Sequence, residues 1–498
     1  MGQCTVRTLT LVGVQTVHVD AEVDVGPGLP TFAIVGLADL AVQEARERVR
    51  SAVRSAGFDV PNARVVVNLA PGPVRKHGTG FDLAIAVGLL VATRQVPVSV
   101  IDGCVVVGEL SLDGSVRPVP GMLAYALGAR EARLALLGPP MAGPGEWLEE
   151  LEHRVVRHLA QLRGPVSPDA GPGEATSRSE RHDRSDVDYA DVCGHELAKR
   201  ALLIAAAGGH NLLMVGPPGS GKTMLARRLP TILPPLDSRE RLETALVHSV
   251  AGLDERDALA GIRPFRAPHH SASIAGLVGG GSPPRPGEAS LAHNGVLFLD
   301  EMPEFGPAAL QALRQPLEDG AITLVRAEGR LKFPARFALA GAANPCPCGF
   351  FGDERRACSC PPTVVERYQN RIGGPLMDRI DLVIDVNRVD PALMLAPGCG
   401  PDSEQMRERV LACRERARDR GFGPTSELTG ARLLRACGLD TLVRSRLESV
   451  ARAQHLSGRG ITRLLRVSRT IADLEDAGSV LADHLAEAVG FRAKEGSR

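Results

Sequence analysis

The run Gly216-Pro217-Pro218-Gly219-Ser220-Gly221-Lys222-Thr223 satisfies the pattern G-x-x-x-x-G-K-[ST], and no other stretch constrains the fold as tightly. Asn211-Leu212-Leu213-Met214-Val215 before it reads as a buried strand, and Met224 to Leu229 after it reads as a helix. At such a junction the glycines let the backbone curl so that successive N–H groups point inward at phosphate oxygens. The following helix adds its positive N-terminal end. Lys222 is then placed to reach the β/γ-phosphates and Thr223 to hold Mg²⁺. A glycine-rich surface turn would give no reason for Lys-Thr directly after the last glycine.

The elements around this loop alternate. A helix over Glu196–Ala207 precedes it, and apolar strands follow at Val296–Leu299, Phe337–Gly341 and Leu382–Val386. That order predicts a parallel α/β sheet over about 189–395. From 396 to 498 the chain reads as helical, with Ile461, Leu464, Leu465, Val467 and Ile471 marking one apolar face. Residues 1–163 mix strands (Val17–Val25, Arg64–Asn68, Val105–Val107) with helices over Ala41–Ala56 and Phe81–Ala92, an α+β pattern with its own core. Gly164 to Asp188 is rich in Pro, Gly, Ser and charge, and reads as a flexible linker.

Composition removes several classes. The 498 residues carry no formal net charge and the pI is near 7.2, which excludes a globally basic nucleic-acid binder but not a locally basic channel. Met1 to Asp24 alternates polar and apolar residues like a strand, unlike a secretory signal. No apolar run reaches the roughly 18 residues of a membrane span. The expected compartment is a reducing cytoplasm, where clustered cysteines bind metal more often than they pair.

A second constellation completes the phosphate loop. Val296-Leu297-Phe298-Leu299-Asp300-Glu301 is an apolar strand ending in paired carboxylates. Phosphoryl transfer needs one carboxylate for Mg²⁺, which suits Asp300, and one group to orient or deprotonate the attacking water, which suits Glu301. Without the phosphate loop the pair would read as a solvated acidic turn. Ala342-Ala343-Asn344-Pro345 ends the next strand, and an Asn there can lie between γ-phosphate and water. Leu376-Met377-Asp378-Arg379-Ile380-Asp381 and Ser457-Gly458-Arg459-Gly460 come later.

Strand–loop–helix, LFLDE, AANP, PLMDRIDL and SGRG in this order resemble an AAA+ ATPase of the magnesium-chelatase type. Phe265 through Glu304 resembles more specifically its ComM/YifB branch, and the similarity runs over essentially the whole chain. The resemblance implies ATP and Mg²⁺ as ligands and a helical lid at the C-terminus. It makes Asn344 the sensor-1 residue, Arg379 an arginine finger acting on a neighbouring subunit, and Arg459 the sensor-2 arginine, although Arg463 and Arg466 share its helix. A finger acting in trans implies a ring, and the family implies a homo-hexamer.

The same resemblance points to DNA. The interval between Lys222 and Asp300 leaves room for an insertion, seated at Ala267 to Gly287, that the family folds as a hairpin facing the central pore. A second hairpin, Ala321 to Ala335, would present Arg326, Arg330 and Lys332, with Arg336 following. Basic side chains there would track a phosphate backbone, single-stranded or branched, without reading bases. An ordinary solvated hairpin fits the same residues. The adjacent His269 and His270 are weak evidence for metal.

Four of the ten cysteines fall at Cys346, Cys348, Cys358 and Cys360. Four thiolates so spaced, with Gly349 and Gly352 for turning, suit a tetrahedral structural Zn²⁺; free thiols and an iron–sulfur cluster fit the spacing too. Cys4, Cys104, Cys193, Cys399, Cys413 and Cys437 read as ordinary core or surface thiols. Finally, Leu69 to Asp82 and Val107 to Gly114 resemble the Lon-protease-like fold. A Lon-type site needs a Ser nucleophile activated by a Lys, but those positions fall on Gly80 and Leu123, and Ser111 and Lys76 sit elsewhere in the motif. A protease-dead domain is expected. The leading expectation is an ATP-driven motor moving branched or heteroduplex DNA in recombination or transformation. The alternatives are a chelatase-type ATPase loading Mg²⁺ into a tetrapyrrole, and a switch that remodels a protein partner.

Overall fold

In the first part of the chain, alternating burial makes long strands pair. β1 (Gly2–Val12) and β2 (Gln15–Gly26) form an antiparallel hairpin that turns at Gly13, whose φ of 69° suits the turn. The alternation over Met1 to Asp24 is carried by these two strands. β2 pairs with β4 (Arg64–Ala70), which pairs in parallel with β3 (Thr31–Val35), so the sheet order is β1-β2-β4-β3. Helices α1 (Leu40–Ser55) and α2 (Asp82–Ala92) bury Val42, Ala45, Val49, Leu83, Ile85 and Leu89 against it. Asp39 starts α1 by accepting a hydrogen bond from the Val42 N–H at 2.9 Å. A small parallel sheet follows, built from β5 (Cys104–Val106), β6 (Ala135–Gly138) and β7 (His153–Val155), with α3 (Met122–Glu131) beside it. The computed structural model describes residues 2–141, 145–164, 166, 187–326, 329–353, 355–394 and 400–492. Most of the linker expected at 164–188 lies outside them.

The second part is built around a parallel sheet. Helix α4 (Glu196–Gly208) leads into β8 (Leu212–Val215), the phosphate loop and α5 (Lys222–Arg227). Then come α6 (Ser238–Ala251), β9 (Phe265–Arg266) and β10 (Val296–Leu299). The hairpin of β11 (Ala321–Arg326) and β12 (Gly329–Pro334) precedes β13 (Ala338–Ala343). Helix α7 (Pro362–Gln369) and β14 (Leu382–Asp385) complete the unit. The order β9-β10-β13-β8-β14 is parallel throughout. Both faces are covered, so the strands are apolar rather than alternating. One face packs on α4 and on the C-terminal helices α8 (Ser403–Asp419), α9 (Gly430–Cys437), α10 (Thr441–Ala453), α11 (Gly458–Leu474) and α12 (Ala482–Gly490). The other buries Leu297, Leu299, Leu310, Leu339 and Ile380.

Two expectations need correction. Ala267–Gly287 is not a β-hairpin: it is a loop with one short helix, Ile274–Val278, closed by a single bridge between Gly280 and Arg285. Gly279, Gly280 and Gly281 all have positive φ, and Pro283, Pro284 and Pro286 have no N–H to give a ladder. Cys193 is disulfide-bonded rather than a free thiol, whereas Cys4, Cys104, Cys413 and Cys437 are free and buried; Cys399 lies outside the described residues.

The two parts touch. Leu123 and Leu127 of α3 pack against Leu236, Ala245 and Ala258 around α6. The Gly121 N–H donates to the Ser249 carbonyl at 2.7 Å, and the Leu123 N–H donates to Ser249 Oγ at 3.3 Å.

Candidate nucleotide site

The phosphate loop leaves β8 beside the end of β13, where the Gly216 N–H donates to the Ala343 carbonyl at 3.1 Å. A side chain at 216 could not fit, because its Cβ would stand 2.1 Å from the Val386 carbonyl. Gly219 and Gly221 take positive φ (75° and 86°), and Gly221 opens α5. Pro217, Pro218 and the buried Ser220 complete the curl. Lys222 folds back into it: Nζ donates to the carbonyls of Gly216 (2.7 Å) and Pro217 (2.9 Å) and lies 3.3 Å from Asn344 Oδ1. Burial holds the ammonium below its ordinary pKa, opposed by the charges of Asp300 and Glu301.

The acidic strand end meets the loop directly. Thr223 Oγ1 donates to Asp300 Oδ2 at 2.7 Å. Glu301 follows in the left-handed region (φ 49°), strain that a non-glycine residue seldom carries. Its half-exposed carboxylate lies 3.6 Å from His270 Nδ1. Lys222, Thr223, Asp300, Glu301 and Asn344 thus converge from three neighbouring strands. A metal coordinated by Thr223 and Asp300 fits this pair of oxygens.

Sequence reasoning missed His270 as a neighbour of Glu301. The available signal was its place just after β9, the strand that pairs with the acidic strand β10. The base of that loop is held by Arg266, whose Nε and Nη2 donate to the Glu288 carboxylate at 2.7 and 2.9 Å.

Arg379 and Arg459 stand apart from this centre. No hydrogen bond or ion pair joins either to residues 216–223 among the described residues. Arg379 pairs with Glu318. Burial lowers its pKa, and the positive charges of Arg459, Arg314 and Arg463 lower it further. Its segment is pinned by Arg463, whose Nη1 donates to the carbonyls of Met377 (2.9 Å) and Ile380 (2.8 Å). Arg314, Arg459 and Arg463 thus gather around Arg379, with Arg459 exposed at the start of α11.

A cavity of about 670 Å³ adjoins the loop at Gly216, Pro217 and Asn344. It is not lined by Lys222, Thr223, Asp300 or Glu301, so the chemistry rather than the cavity locates the site.

Beside Asn344, all four sulfurs of Cys346, Cys348, Cys358 and Cys360 lie within 4.8 Å of one another. Cys346–Cys348 is 3.3 Å, Cys348–Cys358 is 3.5 Å and Cys346–Cys358 is 3.6 Å. Zinc–thiolate bonds of about 2.3 Å in a tetrahedron would put sulfurs about 3.8 Å apart, so the donor set fits that ion. Backbone N–H groups of Phe350 and Ser359 hold the Cys348 thiol down to about 5. Cys358, despite a lowering hydrogen bond from the Cys360 N–H, is pushed up to about 12 by burial and by the neighbouring sulfurs.

In the first part of the chain, the Gly80 position is enclosed by Val107, Val119 and Tyr125, and Leu123 is buried in the contact with α6. Lys76 Nζ donates to the Pro71 carbonyl, not to Ser111.

Residues 21–140 match the family described as subunit ChlI of Mg-chelatase. Residues 188–394 match magnesium chelatase, subunit ChlI, and 400–492 match its C-terminal part. The chain is 41% identical to YifB of Salmonella typhimurium over 99% of its own length and 97% of the relative's. It is 42% identical to Competence protein ComM of Haemophilus influenzae, covering 97% and 96%. The magnesium-chelatase 38 kDa subunit of Rhodobacter capsulatus is 25% identical over 60% of this chain and 84% of that subunit. The chain belongs to the ComM/YifB family of magnesium-chelatase-like proteins.

Proposed function

We propose that the protein is an ATP-driven motor acting on DNA, extending heteroduplex by branch migration in recombination or transformation. The observation that carries this reading is the convergence of Lys222, Thr223, Asp300, Glu301 and Asn344 with Arg379 and Arg459 held away from them. Lys222 and the loop N–H groups bind the triphosphate, and Thr223 and Asp300 hold Mg²⁺. Glu301 orients the attacking water, with Asn344 between it and the γ-phosphate. The arginine cluster completes the site of a neighbouring subunit, so the working form is a hexameric ring. Residues 1–163 form a protease-dead, Lon-like domain, 189–395 the AAA+ core and 396–498 the lid. Arg330 and Lys332, exposed on β12, give a stripe for a DNA backbone. The four cysteines hold a structural Zn²⁺.

Near full-length likeness to a protein named for competence supports the DNA reading over metal insertion, because the chelatase subunit matches only part of the chain. The test offers synthetic three-strand junctions with ATP to the wild type and to Glu301→Gln. Strand displacement and DNA-stimulated turnover by the wild type alone are expected. Their absence rejects the motor.

A further inference from the structure

The four-cysteine turn is not a free-standing appendage; it is seated on the phosphate loop. Gly349, three residues past its first cysteine, has φ 84°, and a Cβ built there would stand 2.6 Å from Pro218 Cδ and 3.1 Å from Pro218 Cγ. The backbone of the turn therefore lies directly on the second proline of the loop, with no space for a side chain. Arg388, just past β14, ties the two together. Its Nη2 donates to the Pro218 carbonyl at 3.4 Å, and its guanidinium lies 5.7 Å from the centre of the Phe350 ring. Arg356, inside the turn, packs over the same ring at 4.1 Å.

The other end of the turn is fixed as firmly. It begins two residues after Asn344, whose Oδ1 faces Lys222 Nζ. Gln369 Nε2 of α7 donates to the Pro345 carbonyl at 3.0 Å, anchoring the entry. The path from Lys222 through Asn344 and the cysteines to Gly349, and back through Pro218, is closed. Whatever holds the sulfurs together thus sets the position of both walls of the phosphate cradle. Three of the sulfurs lie 3.3 to 3.6 Å apart and all four lie within 4.8 Å of one another, a closeness that thiols have little reason to keep without a metal between them.

We propose that the metal-loaded turn is a structural part of the nucleotide pocket, and that its metal sets the affinity for a nucleoside triphosphate through Pro218 and Asn344. This rests on the nucleotide reading of residues 216–223 and on a metal held by the four cysteines. When the metal leaves, the seat under Pro218 loosens and the cradle loses its preorganisation.

The experiment uses the full chain. Metal content is measured by mass spectrometry, and affinity for a fluorescent ATP analogue is measured in Mg²⁺ before and after stripping with a zinc-selective chelator, then after zinc is returned. Gly349→Ala lifts the turn off Pro218 without touching a cysteine, and Arg388→Ala removes the tie; thermal unfolding confirms that both variants fold. Stripping and each variant should weaken binding by roughly three- to tenfold. Zinc should restore the stripped protein, while Gly349→Ala should stay weak with its zinc in place. Unchanged affinity in both the stripped protein and Gly349→Ala overturns the proposal. A protein that holds and takes up no zinc overturns the metal half, and Gly349→Ala then decides the contact alone. A wild type that binds no nucleotide overturns the reading of the loop and this proposal with it.

Discussion

The chain builds a strand, a glycine-rich turn and a helix twice, with opposite outcomes. At 212–227 the turn carries Lys222 and Thr223 to a carboxylate from the neighbouring strand, and Glu301 remains half-exposed beside them. At 64–92 the turn Lys76-His77-Gly78-Thr79-Gly80 also leads into a helix, but its polar groups are tied into the packing of the first part of the chain. Lys76 is buried on the Pro71 carbonyl, and Thr79 Oγ1 donates to Glu109. Asp82 takes both bonds of a bidentate Arg48 pair, at 2.6 and 2.9 Å. Burial raises the Asp82 pKa, and the hydrogen bonds and charge of Arg48 oppose it. Both turns tie their lysine to backbone carbonyls, and only the first also receives an exposed carboxylate from a neighbouring strand.

This contrast can be broken in several ways. The largest expected effect is at Arg379: Arg379→Ala should lower ATP turnover about a thousandfold, as loss of an arginine finger does. Mixing it with Lys222→Ala subunits should return part of the activity. A small loss in steady-state hydrolysis would remove Arg379 from the chemistry. Glu301→Gln should cost about a hundredfold or more in turnover while ATP binding persists, since only the water-orienting step is lost. Equal loss of binding would make Glu301 part of the cradle instead.

In the other half, Arg48→Ala leaves Asp82 buried without its partner and should destabilise the protein by about 3 kcal/mol in denaturant unfolding, with little change in ATP affinity. A kinetic defect without destabilisation would show that this turn is a site after all. His270→Ala should change turnover only a few-fold, because it removes one contact to Glu301. Ser111→Ala should change nothing, and no peptide cleavage should be found in either protein; cleavage lost on that substitution would revive the peptidase reading.

Much of this was legible in linear order. The strand before Gly216, the LFLDE strand and the strand at Leu382 appear where apolar runs predict them, because strands covered on both faces must be continuously apolar. The helix Ser238–Ala251 was not singled out, although Asp237 and Glu240 form a capping box at its start. Its low amphipathic contrast hid a helix that docks on α3. His270 and Arg388 were invisible for another reason: each acts on a residue far away in sequence, brought near only by strand order.

Local pattern alone marked the phosphate loop, the acidic strand end and the four-cysteine spacing, because each depends on residue types at short fixed intervals. Tertiary structure decided which of those residues meet. The order β9-β10-β13-β8-β14 sets Asp300 against Thr223 and Asn344 against Lys222, lays the four-cysteine turn on Pro218, and gathers Arg379 with Arg459 on a separate surface. Strand order is a property of the whole sheet's packing, and no short interval in the sequence encodes it.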